Sequence, residues 1–293
     1  MSSVAPLECN CFKDLNVPHD ADQCVEIIRN QIGDAAIDVG LVLGIGVAAL
    51  AEHVTQAVVI PYADLPGFPA VANDQTYELL LGIIGTARVA VFRGRTNYHE
   101  TGDVNAMRVP LETLQRLGAK AVVLTGAAAA VRNDLQTGTL MAITDHINLS
   151  GLNPLVSEPV ERSFVDMMGA YDRHLRERFN LAASQLGRKT HEGELLWLPG
   201  PSSETAAETR VAQKLGADII SPSLVPEVIL SRWLGLRVLG LAVVTNCAAG
   251  LRQDVLTRDM RLRAGAISTS SLSRVLTKFF ELWQVESRVV RQS

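Results

Sequence analysis

The sequence predicts an α/β fold, a single domain with a central mixed β-sheet flanked by helices. Apolar runs of strand length alternate with amphipathic stretches of helix length from end to end. Glycine or proline separates many of these segments. No linker-like change of composition divides the 293 residues. We therefore expect one domain over residues 21–293, preceded by a polar, irregular extension over residues 1–20.

In the first half, continuous apolar runs indicate buried strands, and apolar residues at helical spacing indicate helices. Pro110 is expected to open a helix that Gly118 ends. A loop with three prolines separates the first strands from a hairpin-like pair. In chain order we predict helix 21–32, strand 37–43, helix 47–53, strand 58–60, loop 61–69, strands 77–84 and 87–93, loop 94–103 and the helix after residue 110.

In the second half, the same reasoning gives a strand at 121–125 that leads into a turn of small residues, Gly126 to Ala130. The run Leu236 to Val244 is a strongly apolar strand and ends at Thr245-Asn246. The remaining predicted segments are strand 140–147, helix 162–186, strand 190–198, helix 205–215, strand 218–221, helix 226–234 and a last helix over 258–284.

Composition excludes some functional classes. Apolar residues make up 47% of the chain and charged residues 20%, which is typical of a soluble protein with a sizeable core. A net charge of −4 gives no reason to expect nucleic acid as a partner. No apolar stretch is long enough to span a bilayer, and the N-terminus lacks a secretory signal, so we expect cytoplasmic residence. The cysteines, at positions 9, 11, 24 and 247, are expected to be free thiols.

The segment Gly200-Pro201-Ser202-Ser203-Glu204-Thr205 joins an apolar strand to an amphipathic helix. Open α/β sheets bind ligands where strands end and helices begin. Glu204 is therefore a carboxylate at a position that such folds use for chemistry. The alternative is a solvated acid at a helix start, where acidic residues are favoured.

Three further patterns lie at strand ends. The turn from Gly44 to Ala49 formally matches a dinucleotide fingerprint, but a proline loop stands where the acidic residue should follow, so another anion or simple packing is the better interpretation. Arg95 lies in a polar loop, and its guanidinium group could hold an anion by two hydrogen bonds. The alternative is a solvated basic residue. Asn246 offers a donor and an acceptor to a heterocycle, or else caps its strand.

Taken in order, the motifs of the chain resemble the purine nucleoside phosphorylase family in its trimeric branch. The resemblance covers about residues 40–285. The motifs are Val42-Leu43-Gly44-Ile45-Gly46, the proline loop from Ile60 to Pro69, Gly94-Arg95 with Glu100, Asp145 to Leu149, Gly200 to Glu208, Leu215 to Asp218, Val225 to Val228 and Thr245-Asn246.

The resemblance implies cleavage of a purine N-glycosidic bond with inorganic phosphate as the nucleophile and no metal or organic cofactor. It implies that Glu204 holds the base near N1 and that Asn246 donates to N7, a contact that strengthens as charge develops on the leaving base. Phosphate would be bound by Arg95, Asn97, Ser223 and the backbone at Ala127 and Ala128. A cyclic homotrimer is the implied assembly.

Several positions depart from the family pattern. Ile45 replaces a phosphate-binding serine, and two histidines of the family correspond to Gln75 and Asn97. His99 stands at a ribose-contacting tyrosine, Ser203 at an aromatic residue that packs on the base, and Pro222 at a nearby methionine. Arg258 aligns loosely with a histidine near the ribose 5′-hydroxyl. Each lost hydrogen-bond donor to phosphate weakens the binding free energy of phosphate by about 1–3 kcal/mol if the site is buried.

Three functions are therefore compared. The first is phosphorolysis of a purine or purine-like nucleoside, with Glu204, Asn246 and Asn97 as catalytic residues. The second is action on a modified or 5′-substituted nucleoside, with Arg258 facing the substituent. The third is nucleoside binding without catalysis, which the substitutions at Ile45, Asn97 and Ser203 suggest.

Overall fold

The computed structural model describes residues 19–44, 48–69, 77–156, 158–159, 163–251 and 258–283. For residues 48–49 and 258–269 it describes the backbone course alone. The predicted boundary between an extension and a domain near residue 20 stays a prediction, because most of the extension lies outside these ranges.

The described elements follow the predicted alternation closely. The helices are α1 (Asp20–Ile32), α2 (Tyr98–Thr101), α3 (Arg108–Arg116), α4 (Arg173–Gln185), α5 (Ala206–Leu215), α6 (Val225–Trp233) and α7 (Arg258–Glu281), with short 3-10 helices at Ala48–His53 and Tyr62–Asp64. The strands are β1 (Val39–Val42), β2 (Thr55–Pro61), β3 (Glu78–Ile84), β4 (Ala87–Arg93), β5 (Ala121–Ala130), β6 (Leu140–Asn148), β7 (Thr190–Trp197), β8 (Ile219–Ser221) and β9 (Arg237–Cys247).

These strands form one mixed sheet, as the sequence predicted. Their order is β2-β3-β4-β1-β5-β8-β7-β6-β9, with parallel and antiparallel neighbours. Strand β9 also pairs in parallel with β5, so the strands from β5 to β9 close into a ring of five. The sheet is therefore open at its β2 side and barrel-like at its other side.

The core lies on both faces of this sheet, because successive strand residues point to opposite faces. In β5, Val122 and Leu124 join a cluster with α1, α3 and α6. Ala121 and Val123 join a second cluster with α4 and α7. Helices therefore cover both faces, which confirms the predicted α/β class.

The predicted turn from Gly126 to Ala130 is wrong, because β5 continues through these residues. Ala129 and Ala130 pair with Asn246 and Cys247 of β9 on one edge and with β8 on the other. Small side chains fit here because the ring of strands is narrow. A Cβ at Gly126 would lie 2.9 Å from the hydroxyl of Ser223.

Two other local predictions are corrected. The predicted helix over 162–186 begins only at Arg173, because the Asp172 carboxylate accepts from the backbone N–H of Leu175 and caps α4. The predicted loop over 94–103 contains the single-turn helix α2, which follows Asn97 and ends at Gly102 with φ of 74°.

Along the described ranges of the chain, no helix combines the length and the apolar character needed to cross a bilayer. Cytoplasmic residence stays a prediction. Cys24 and Cys247 are free thiols, as expected, whereas Cys9 and Cys11 lie outside the described residues.

Candidate functional site

A cavity of about 190 Å³ opens where β5, β8 and β9 meet the loop after β7. Loops at the ends of strands are the usual ligand positions of α/β sheets. The lining brings together seven of the predicted site residues: His99, Ala127, Ala128, Ser203, Glu204, Pro222 and Asn246. The other lining residues are Ala129, Leu198, Gly200, Pro201, Ser202, Ile220 and Thr245.

Glu204 lies in the loop between β7 and α5, one residue before the helix cap Thr205. Its Oε1 accepts a hydrogen bond of 3.0 Å from the backbone N–H of Ala249, in the loop after β9. Glu208, one turn into the helix, takes the capping role instead, since its carboxylate accepts from the N–H of Thr205. The Glu204 carboxylate therefore joins the loop after β7 to the loop after β9 and keeps acceptor capacity for a ligand.

Asn246 reaches the cavity because of a β-bulge. In the β5–β9 pairing Ala128 aligns with Val244 but Ala129 aligns with Asn246, so Thr245 is the extra residue. A bulge re-aims side chains next to it. The Thr245 hydroxyl lies 2.9 Å from Asn246 Oδ1, and Asn246 Nδ2 donates to the carbonyl of Cys247 at 3.0 Å. These contacts fix the amide and leave its second Nδ2 hydrogen for a ligand.

Strand β5 presents backbone groups to the cavity between its contacts with β1 and β8. Along this stretch the carbonyls of Thr125 and Ala127 accept from Arg95 and from the Ser221 hydroxyl, at 2.9 and 2.7 Å. Because backbone groups alternate in direction along a strand, the N–H of Ala127 lies on that same edge. Ala128 faces β9, where its carbonyl lies 3.3 Å from the Thr245 hydroxyl.

Arg95 lies beneath this edge, only 9% exposed. Its Nε is 3.5 Å from Glu227 Oε1 and has no hydrogen-bond partner among the described residues. The backbone N–H of Gly44, at the end of β1, donates to the Thr125 hydroxyl at 2.7 Å. Arg95 is therefore held near Gly44, which follows β1, and it is not among the residues that line the 190 Å³ cavity.

Asn97 and Ser223 line a smaller void of about 10 Å³, which shares Pro222 with the larger cavity. A space of this size holds about one water molecule. The Ser223 hydroxyl lies 3.1 Å from that of Ser221. Asn97 Nδ2 donates to Glu100 Oε1 at 3.1 Å, and Asn97 Oδ1 is buried without a partner in the described structure.

Burial and acidic neighbours shape the electrostatics beneath this region. Glu227 is buried beside Arg95, so the pair places compensating charges under the smaller void. Burial raises the pKa of Tyr171 well above its ordinary value, and the negative charges of Asp145 and Glu227 add to that rise. Tyr171 therefore stays neutral and holds His146, whose Nδ1 is 3.1 Å from its hydroxyl.

The substituted positions are only partly described. Ser203 and Pro222 line the cavity with small side chains where the resemblance implies an aromatic ring and a methionine. Ile45 and Gln75 lie outside the described residues, and the side chain of Arg258 does as well. Their predicted roles stay predictions.

Sequence reasoning missed the residues that orient the site. Thr125, Ser221 and Thr245 bind backbone or side-chain atoms of predicted site residues. Thr245 carried a signal, because it sits beside Asn246 at the end of an apolar strand. No local pattern distinguishes Thr125 or Ser221, whose roles depend on pairing between distant strands.

The arrangement presents a carboxylate and an amide to one cavity, together with a strand edge and an imidazole. A carboxylate and a carboxamide can bind the donor and acceptor edge of a heterocycle. Backbone N–H groups and a buried guanidinium suit an anion. Over the described ranges, no three His, Cys, Asp or Glu side chains gather as metal ligands would.

Comparison with protein-family models matches residues 38–281 to the phosphorylase superfamily. Among curated proteins, the purine nucleoside phosphorylase of Mycobacterium bovis is 40% identical over 87% of this chain and 93% of its own length. Purine nucleoside phosphorylase 1 of Geobacillus stearothermophilus is 36% identical over 75% of this chain and 82% of its own.

Solved structures give the same result. Isoform 2 of the purine nucleoside phosphorylase of Schistosoma mansoni, in complex with cytosine and ribose-1-phosphate, superposes with a TM-score of 0.85 at 25% identity. The similarity covers 91% of this chain and 97% of that one. A schistosoma purine nucleoside phosphorylase in complex with hypoxanthine superposes with a TM-score of 0.83 at 26% identity, covering 89% and 96% of the two chains.

Proposed function

The chain belongs to the purine nucleoside phosphorylase family, within the phosphorylase superfamily, and from this premise we propose that it cleaves purine nucleosides by phosphorolysis. Inorganic phosphate is the co-substrate, and free base and ribose 1-phosphate are the products. The observation that carries the proposal is the shared lining of one cavity by Glu204, Asn246 and the Ala127 region of β5.

The base side works by stabilising the leaving group. As the bond between C1′ and the base breaks, its electron pair moves into the purine ring, and the ribose becomes oxocarbenium-like. The free Nδ2 hydrogen of Asn246 donates to N7, where negative charge accumulates, and Glu204 accepts from the N–H at N1. Thr245 and Ala249 hold these two side chains in place before the substrate arrives.

The phosphate side works by positioning the nucleophile. A phosphate oxygen attacks C1′ from the face opposite the base, and the other oxygens need donors. Ala127 N–H, Ser223 and the Arg95 guanidinium are the candidates nearest the junction of β1, β5 and β8. A shift of the Pro222 boundary between the two spaces would bring Asn97 and Ser223 into one site with the larger cavity.

The test is release of free base from inosine, guanosine and adenosine, with and without added phosphate. We expect release that depends on phosphate and yields ribose 1-phosphate in equal amount. Release at the same rate in phosphate-free buffer would contradict phosphorolysis, because water would then be the nucleophile.

A non-catalytic nucleoside-binding role is the second candidate. Its support is the Asn97 amide, whose donor already binds Glu100 and whose oxygen makes no hydrogen bond among the described residues. In that case, nucleoside binds without cleavage, and the double substitution Ile45→Ser with Asn97→His restores phosphorolysis. Action on a 5′-substituted nucleoside depends on Arg258 and stays a prediction.

We further propose that the protein is a cytoplasmic homotrimer. Support for association comes from exposed apolar side chains that follow β6. Leu149, Val156, Phe164 and Met168 are between 67% and 88% exposed. Large apolar side chains clustered along one surface segment are typical of protein interfaces.

A further inference from the structure

The five-residue segment from Arg95 to His99, which runs into the first turn of α2, contains three unsatisfied polar atoms. Arg95 Nε, Asn97 Oδ1 and His99 Nδ1 are each buried without a hydrogen-bond partner in the described part of the chain. A buried polar atom without a partner costs about 1–3 kcal/mol, so such atoms ordinarily bind something. Three such atoms within this segment, whose last residue lines the cavity, indicate that a polar ligand binds beside it.

Of these three residues, His99 alone lines the cavity with room for an anion. The 190 Å³ cavity includes His99 and Ala127 in its lining, whereas Asn97 lines the void of about 10 Å³. Phosphate is several times larger than the single water molecule that such a void holds. His99 therefore lines the space that a phosphate can enter.

A carboxylate lies close to His99, and another lines the same cavity. Its Nε2 lies 3.9 Å from Glu100 Oε1, and the same carboxylate binds the backbone N–H and Nδ2 of Asn97. From the loop after β7, Gly200 packs against the Cβ of His99 and brings no charge. Glu204 is the other charged residue in the described lining of the cavity, and it is an acid as well.

We infer that His99 is a further catalytic residue, which binds the attacking phosphate as a protonated imidazole and supplies the cationic donor that Asn97 lacks. The inference rests on the proposed phosphorolysis and names the group that makes its anion site functional. His99 takes the positive charge, Glu100 balances it, and a ring N–H donates to a phosphate oxygen.

This assignment makes phosphate binding depend on pH in a defined direction. Histidine gains its charge between about pH 8 and pH 5, so the donor is present at the acidic end and lost at the alkaline end. Phosphate itself titrates in the same range. Inorganic sulfate, which keeps a double negative charge throughout, separates the two titrations.

The experiment is calorimetric titration of the full-length protein with phosphate and with sulfate, at about pH 5.5 and about pH 8.5. The proteins compared are the native protein, His99→Asn, His99→Gln and the matched control His174→Asn. His174 forms an exposed pair with Glu177 at 3.5 Å on α4 and does not line the cavity. Hypoxanthine binding reports that each variant is folded.

We expect the native protein and His174→Asn to bind sulfate at least about tenfold more tightly at the acidic pH than at the alkaline pH. Both His99 variants should lose that dependence while still binding hypoxanthine. Sulfate and phosphate affinities that are equal in native and His99→Gln protein at the acidic pH would overturn the inference. Loss of hypoxanthine binding in both His99 variants would also overturn it, because His99 would then support the fold.

Failure of the inference and failure of the proposed function give different results. If the anion titrations come out as expected but native protein releases no base from any purine nucleoside, phosphorolysis is refuted and His99 is an anion-binding residue alone. If native protein performs phosphorolysis and the His99 variants bind phosphate normally, His99 is not a phosphate ligand.

Discussion

At the scale of single residues, Glu204 has two roles, one structural and one in substrate binding, that a substitution can separate. Its carboxylate binds the Ala249 N–H within the protein, and we propose that it binds N1–H of the purine. In Glu204→Gln, the side-chain carbonyl can still accept from Ala249, but the charge on the base side is lost. The two roles therefore predict intact folding with weakened substrate recognition.

We expect Glu204→Gln to lower kcat/KM for inosine by about tenfold to a hundredfold, which corresponds to about 1.5–3 kcal/mol for a charged hydrogen bond. Steady-state kinetics measure this. Glu208→Gln is the matched control, because Glu208 caps α5 four residues away and does not line the cavity. An equal loss in both variants would place the effect in the loop rather than in the base contact.

Thr245 is a residue to which the sequence analysis assigned no role of its own, although it adjoins Asn246 in a recognised motif. Its hydroxyl contacts Asn246 Oδ1 at 2.9 Å and so sets which end of the amide faces the ligand. We expect Thr245→Val to lower kcat by about tenfold, and Thr245→Ser to retain activity, since one such hydrogen bond contributes about 1 kcal/mol or more. Full activity of Thr245→Val would contradict the proposal that Thr245 positions Asn246.

At the scale of elements, the sequence predicted the strands and helices that depend on local periodicity. It failed where pairing between distant segments overrides local chemistry. The run Gly126 to Ala130 has the composition of a turn, but β9 and β8 hold it as strand. The bulge that admits Thr245 has no local signature either, because it exists only in the register between two strands.

The start of α4 shows a long-range anchor that sequence periodicity missed. Asp172 caps the helix and accepts bidentate hydrogen bonds from Arg237, at the start of β9, at 2.7 and 2.9 Å. Burial pushes the pKa of Asp172 upward, but the hydrogen bonds from Arg237 and the Leu175 N–H outweigh it and leave the pKa below its ordinary value.

A lowered pKa in the folded state means that the Asp172 carboxylate stabilises the protein above its unfolded pKa of about 4. This contribution is lost as pH falls through the lower folded value. We expect Asp172→Asn to reduce stability by about 1 kcal/mol at neutral pH, with the difference in Tm shrinking in acid. Glu177→Gln on the same helix should change Tm little. A difference that persists unchanged at acid pH would contradict the charge as its cause.

At the scale of the whole molecule, the proposed trimer follows from family membership and from the exposed apolar side chains after β6. Phe164 is 88% exposed in the single chain. Light scattering coupled to size exclusion should give three times 31.6 kDa for the native protein, and a lower mass for Phe164→Ser at low concentration. A native mass of one chain would refute the trimer.

The family resemblance read from ordered motifs predicted both the fold and the placement of Glu204 and Asn246 on one cavity. It did not predict that Arg95 and Asn97 lie behind the main cavity, because that depends on the packing of Pro222 and Glu227 between elements. The fold thus follows from the order of the segments. The phosphate-binding part of the site depends on side-chain packing, which the sequence alone does not specify.

The most direct measurement is a crystal structure of the protein with hypoxanthine and ribose 1-phosphate. We predict the purine ring between the Glu204 carboxylate and the Asn246 amide, with the phosphate group beside Ala127 and His99. A purine bound away from these two side chains, or a phosphate group on the far side of the base from β5, would contradict the central claim.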